Sequence, residues 1–102
     1  MARLVVMYKT PAEAAAFDKY YFETHVPLAK KIPGLKKFEV SQGPVGSPAG
    51  PSGYHRIATL HFDSMAAIGA ALGSAQGQAA VADLKNFVTT PPDIVMFENR
   101  EV

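Results

Sequence analysis

Three histidines and no cysteine set the chemistry open to this chain of 102 residues. The lack of cysteine excludes thiolate nucleophiles, disulfides and cysteine metal sites. His25 has the most informative surroundings. It follows Tyr21 by four residues, so the two side chains share one side of any helix that carries them. Pro27 comes two residues later; it has no backbone N–H and pushes Val26 away from helical geometry. A helix through this stretch should kink or end at His25 and Val26, which gives the imidazole a defined exit direction. An imidazole edging an aromatic cleft suits general acid–base work, because such rings ordinarily titrate near neutrality. Tyr21 and Phe17 would wall that cleft. The plainer reading is a histidine at a helix C-terminus, bonding the last carbonyls and favouring the local dipole. Spacing alone leaves both open.

His55 and His61 lie six residues apart on what reads as one strand. At about 3.3 Å per residue they would share a face roughly 20 Å apart, too far to hold one metal ion. No Asp or Glu stands at ligand spacing beside either, so no metal site is expected. Tyr20, beside Tyr21, reads as the rim of an amphipathic helix. Lys30, Lys31, Lys36 and Lys37 read as a solvated basic face, with an acidic ligand as the lesser alternative.

The elements that position these residues are legible in outline. Leu4-Val5-Val6-Met7-Tyr8 is a buried strand by composition. Thr10-Pro11-Ala12-Glu13 announces a helix, with Thr10 as cap, Pro11 at the first position and Glu13 completing a capping box. Ala14, Phe17, Tyr21 and Leu28 form its apolar side. Residues 35–41 are a second strand. Residues 43–53 hold four of the eight glycines and three of the eight prolines and read as a flexible loop. No Gly-Lys-Ser/Thr follows, so the glycines do not make a phosphate cradle. Residues 54–62 are a third strand. Asp63 or Ser64 caps a helix that Gly73 stops, Ser74 caps another, and Ile94-Val95-Met96-Phe97 is the last strand.

Two β-α-β units in tandem within one domain, residues 1–102, imply an α+β fold of ferredoxin-like βαββαβ order. Its four-stranded antiparallel sheet carries the helices on one face. The other face should be polar if it meets water. Instead the first and last strands are apolar at consecutive positions, and the third pairs Ala58, Leu60 and Phe62 on one side with Ile57 on the other. The expected cover is a second copy of the chain, a homodimer through the sheet face. A formal charge of +1 offers no field for nucleic acid or an anionic membrane. The third strand also lacks the Lys/Arg-Gly-Phe/Tyr pattern of RNA-recognition domains. The apolar run near the N-terminus is too short for a signal core or a membrane span, and a cytoplasmic protein is expected.

Tyr20-Tyr21-x-x-x-His25-Val26-Pro27-Leu28-Ala29 followed by Ile32-Pro33-Gly34-Leu35 resembles the EthD family. Ser74-Ala75-Gln76-Gly77-Gln78-Ala79 and Asp83-Leu84-Lys85-Asn86-Phe87 are similar to that family's second-helix signature, and Phe97-Glu98 also fits. The similarity spans nearly the whole chain, interrupted by the Gly/Pro loop; Ala75 stands where proline is expected at a helix start. The resemblance implies a dimeric α/β barrel with His25 as the motif histidine. It does not name a reaction. The wider superfamily includes lactone isomerases, polyketide cyclases, cofactor-free monooxygenases and some haem enzymes.

Two functional expectations follow. The first is a cofactor-independent isomerase or cyclase that moves a proton on a small apolar or aromatic metabolite, with His25 as shuttle and Phe17 and Tyr21 as pocket wall. The second is a non-catalytic accessory protein that binds an apolar pathway intermediate. A haem-binding reading would need one of the three histidines as axial ligand.

Overall fold

The first strand, β1 (Ala2–Lys9), buries Ala2, Leu4 and Tyr8 and leaves Arg3, Val5, Val6 and Met7 half-buried, as a strand with both faces partly covered does. In the computed structural model, which describes residues 1–102, it is followed by α1 (Ala14–Tyr20), a π-helical turn (Tyr21–His25) and α2 (Val26–Ala29). Then come β2 (Lys37–Val40), a two-residue-per-strand hairpin of β3 (Gly46–Ser47) and β4 (Gly50–Pro51), and the long β5 (Tyr54–Phe62). The chain ends with α3 (Met65–Gly73), α4 (Ala75–Asp83), a 3₁₀ turn (Leu84–Asn86) and β6 (Asp93–Glu98). The main sheet has the order β2-β5-β1-β6, and every neighbouring pair is antiparallel. With the helices on one face this is the ferredoxin-like α+β fold. No helix is long and apolar enough to cross a membrane.

Register decides which side chains the helices cover. Leu4 stands opposite both Leu60 and Met96, and Val6 opposite both Ala58 and Ile94. Opposed residues of a ladder share a face, so these sit on the helix side with Ala2, Tyr8 and Phe62. Val5, Met7, Ile57, Thr59, Val95 and Phe97 point the other way, onto an outer face that nothing in the chain covers. Val95 and Phe97 are each 44% exposed.

Local chemistry explains where the helices start. Ser64 caps α3 by accepting from the Ala67 amide at 3.0 Å, and Ser74 caps α4 by accepting from the Gly77 amide at 3.0 Å. α4 therefore begins at Ala75 without needing a proline there. The first helix departs from expectation. It begins at Ala14, after an N-cap Glu13 whose side chain makes no cap bond. Thr10 does not cap it, because its hydroxyl and its amide both turn to the Gly53 carbonyl at 3.1 Å and stay with the sheet. The Gly/Pro segment is not wholly irregular either: Ser47 and Ser52 hydroxyls donate to the Gly50 and Val45 carbonyls and close the β3–β4 hairpin.

β5 carries an irregularity that relocates a histidine. Tyr8 pairs with Arg56 while Lys9 pairs with Tyr54, so His55 is an extra residue on its strand. Such a bulge turns two successive side chains the same way. His55 and Arg56 both reach Asp18 of α1, with His55 Nε2 2.8 Å from Oδ1 and Arg56 Nη2 3.1 Å from Oδ2. His55 and His61 thus do not share a face, since His61 lies on the outer side with Glu39 at 2.6 Å.

Candidate functional site

His25 is placed by an unusual stretch of helix. Phe17, Tyr21, His25 and Ala29 are all buried, each four residues from the last. In an α-helix a four-residue step overshoots a full turn by about 40°, so three steps would drift by about 120°. The π-helical turn removes that drift. Within it the Val26 amide bonds the Tyr21 carbonyl, five residues back, and the wider turn keeps all four side chains toward the sheet. Pro27 favours the change here, because it has no N–H to offer the Glu23 carbonyl. The expected kink or stop at His25 and Val26 is thus a change of helical register, after which α2 continues.

The imidazole of His25 is 5% exposed and stacks between aromatic rings, 5.7 Å from Tyr21 and 4.8 Å from Phe87 by ring centroids. Its Nδ1 lies 2.9 Å from Oδ2 of Asp83, at the end of α4. Asp83 is itself buried. Its other oxygen accepts from the Tyr20 hydroxyl at 2.7 Å and from the Asn86 side-chain amide at 2.9 Å. Burial alone would raise the Asp83 pKa, but the hydrogen bonds from Tyr20, Asn86 and His25 more than offset this and hold it below the ordinary aspartate range. An ionised carboxylate only accepts, so the proton between the two side chains belongs to Nδ1. Nε2 of the neutral ring is then the basic nitrogen, and it has no protein partner.

Beside that ring lies an apolar cavity of about 60 Å³ between the sheet and the helices. Tyr8, Tyr21, His25 and Leu60 are in its wall, and Val81 and Ile94, 52% and 44% exposed, form its mouth between α4 and β6. Tyr21 is fully buried, and its hydroxyl closes no hydrogen bond of good geometry. Burial pushes the pKa of both Tyr8 and Tyr21 well above the ordinary phenol range, so both keep their protons. Phe17 does not line the cavity. It packs one layer behind, 5.5 Å from Tyr8 and 5.2 Å from the His55 ring, and so supports the wall from outside.

The other candidates fall into structural roles. At Asp18, burial raises the carboxyl's pKa, but the bonds from Arg56 and His55 outweigh it, and the group ties β5 to α1. No three His, Asp or Glu side chains come together at metal spacing. A haem does not fit: the cavity beside His25 is far too small for a porphyrin, and His55 and His61 each spend Nε2 on a carboxylate.

Residues 9–91 match the EthD domain family. The chain belongs to the EthD family. A relative from Rhodococcus erythropolis, an uncharacterised 11.0 kDa protein in the thcB-thcC intergenic region, is 40% identical over 89 residues, covering 87% of this chain and 85% of its own. The crystal structure of an ethyl tert-butyl ether D (EthD) family protein from Bacillus halodurans C-125 superposes with a TM-score of 0.89 at 32% identity, over 98% of this chain and 99% of that one. A dimeric protein of unknown function with a ferredoxin-like fold from Bacteroides fragilis shares the fold at 19% identity, with a TM-score of 0.64 over 96% and 95% of the two chains.

The two segments that resemble the EthD family meet at a single carboxylate. Tyr20 and His25 come from the first, Asp83 and Asn86 from the second, and the side chains of the other three converge on the Asp83 oxygens. Sequence reasoning singled out His25 and Tyr21 but passed over Asp83, Asn86 and Tyr8. The available signal was the pairing of the two EthD segments, one with a lone histidine and the other with a lone aspartate at a helix end.

Proposed function

We propose that this EthD protein binds a small apolar or aromatic metabolite in the cavity beside His25 and moves a proton on it, as a cofactor-independent isomerase or cyclase. The observation that carries this reading is the buried Asp83–His25 pair at 2.9 Å, which leaves Nε2 as the unpartnered basic atom next to an apolar cavity. A positioned imidazole of this kind supplies typically about 10²- to 10⁴-fold in rate. The carboxylate sets its tautomer, and the aromatic stack fixes its angle.

The test is a thermal-shift panel of lactones, phenols and polyketide-like aromatics on wild type and His25→Ala, followed by turnover of whatever binds. A ligand at a hundred times its dissociation constant adds about 2.7 kcal/mol, on the order of ten degrees for a chain of this size. The expected result is that a bound compound turns over with wild type and loses about 10²-fold or more with His25→Ala. Equal turnover by both proteins would rule out the role of His25. Binding without turnover by wild type would support the accessory reading instead, in which the pocket holds an intermediate and the dyad is structural.

We also infer a homodimer through the outer sheet face. Val5 stands opposite Val95 and Met7 opposite Ile57, so the uncovered side chains adjoin one another across three strands. Contiguous exposed apolar surface of this kind usually marks an interface. Phe97→Asp, placing a charge in that surface, should convert a dimer to a monomer by light scattering at micromolar concentration while leaving the circular dichroism spectrum unchanged. A wild-type chain that is already monomeric, or a variant that stays dimeric, would count against this face.

A further inference from the structure

The Tyr21 hydroxyl is the one fully enclosed side-chain nitrogen or oxygen atom that closes no hydrogen bond of good geometry; the neighbouring Tyr8 hydroxyl interacts with its oxygen and leaves its proton without an acceptor. Leaving a hydroxyl in that condition is unfavourable, so an orphan inside a folded chain calls for an explanation. Its ring is in the cavity wall and stacks 5.7 Å from His25 at an angle of 25°. The missing partner and the free imidazole nitrogen therefore belong to one small space.

The surroundings restrict what that partner is. Burial keeps the phenol protonated, so it has a hydrogen to donate and needs an acceptor. No lysine or arginine lines the cavity, and an anion there would be desolvated without a counter-charge. The acceptor is then a neutral oxygen on an otherwise apolar body. The volume of about 60 Å³ is well under the roughly 150 Å³ apolar cavity that admits a benzene ring. Only the reacting end of a molecule fits inside, and the remainder lies in the mouth against Val81 and Ile94.

We propose that the cavity receives the carbonyl end of an enolisable compound, with the Tyr21 hydroxyl donating to its oxygen and His25 Nε2 facing the adjoining carbon. This rests on the proton-transfer reading and names its substrate class. His25 Nε2 takes a proton from that carbon. The C–H electron pair becomes the C=C bond, and the carbonyl π pair moves onto the oxygen, where the Tyr21 hydrogen bond steadies the developing charge. Where a carbon–carbon double bond adjoins that carbon, the proton returns to its far end, the double bond shifts into conjugation and the C=O re-forms; the imidazole is neutral again with no oxidant or reductant consumed.

Cyclopentanone and methylenecyclopentane, which match in shape but differ in the acceptor oxygen, separate the possibilities. Their affinities are measured by NMR titration on wild type, Tyr21→Phe and His25→Gln. Deuterium uptake from D₂O into cyclopentanone next to its carbonyl reports proton transfer. The expected result is that Tyr21→Phe weakens cyclopentanone by about 2- to 10-fold, the worth of one neutral hydrogen bond, and leaves methylenecyclopentane unchanged. The ligand-free Tyr21→Phe protein should melt close to wild type, because the hydroxyl it loses closes no hydrogen bond of good geometry and only neighbours that of Tyr8. His25→Gln should still bind the ketone but lose the exchange. Equal affinity of wild type and Tyr21→Phe for cyclopentanone, or no binding of either probe, overturns the carbonyl site. Tyr21-dependent binding with no exchange by wild type supports the site and sinks the proton-transfer reading.

Discussion

Asp83→Asn is expected to abolish most turnover while leaving the chain folded and its cavity filled by the same ligands. The substitution is almost isosteric, so packing at the end of α4 is kept. What changes is the direction of one hydrogen bond. An ionised carboxylate obliges His25 Nδ1 to carry the proton, whereas an amide nitrogen can donate to Nδ1 and leave the proton on Nε2. The ring then has nothing with which to take a substrate proton. Where a carboxylate sets the tautomer of a catalytic histidine, the same exchange lowers turnover on the order of 10⁴-fold. Affinity should change little, because Asp83 does not line the cavity. An acid-stability profile measures the structural share of the pair, and turnover the positioning share. The folded pKa of Asp83 is depressed, so its contribution to stability is full above the unfolded value of about 3.9 and is lost as pH falls through the folded value. Wild type should therefore lose melting temperature more steeply than Asp83→Asn below the ordinary aspartate range. Asp18, Glu39 and Asp93 are also held low and remain in both proteins, so only the difference between the two curves reports Asp83. A variant with intact turnover would mean that the pair holds the helices together and nothing more.

The element order and the two-sided apolar sheet are legible in the sequence because both are written in short-range patterns: β-branched runs, serine caps, and a histidine four residues after a tyrosine. The details that make the site are not short-range. His25 and Asp83 are 58 residues apart, His55 and Asp18 are 37, and His61 and Glu39 are 22. Each carboxylate read alone looks like part of a solvated helix face or strand. Only the packing of α4 against α2, which brings its end to His25, reveals Asp83 as buried. The π-helical turn and the β5 bulge are hidden for a related reason, since each adds a single residue to a repeat and leaves the composition unchanged. Phe17 is a case in which the short-range reading is right about the neighbour but says nothing of depth. An α-helical wheel puts it beside Tyr21, and it does stack on that ring at 5.8 Å, but it also packs on Tyr8 and the His55 ring and stands outside the cavity beside His25. Thr10 shows a failure. A capping residue followed by proline is a sound local signal, but here both donors of Thr10 go to the Gly53 carbonyl, which holds its side chain on the sheet and away from the helix amides it would accept from.

Gly77→Ala should destabilise the protein, against what helix propensity alone predicts. Alanine in place of glycine inside a helix is ordinarily favourable by about 1 kcal/mol. At Gly77 a Cβ would stand 2.0 Å from the Ala71 carbonyl oxygen, 2.9 Å from its carbon and 3.0 Å from Leu72 Cα. All three are backbone atoms at the end of α3, so no side chain can rotate away. That carbonyl is also fixed in place, accepting from the Ser74 hydroxyl at 2.6 Å. Overpacking of a well-filled interior costs about 1–3 kcal/mol, and rigid backbone on one side argues for the upper end. A net loss of about 2 kcal/mol corresponds to a fall on the order of 10 °C in melting temperature for a domain of this length. Gly69 provides the opposite sign, because a Cβ there meets nothing within 4 Å in the exposed middle of α3; Gly69→Ala should hold or slightly raise the melting temperature. The consequence reaches the site, since Gly77 lies in the cavity wall and Asp83 ends the same helix. If α4 moves outward to relieve the contact, it carries Asp83 away from His25, and turnover should fall further than the lost stability explains. A Gly77→Ala protein that melts at or above wild type would show that the α3–α4 contact yields without cost. The small residue would then serve the cavity rather than the helix crossing.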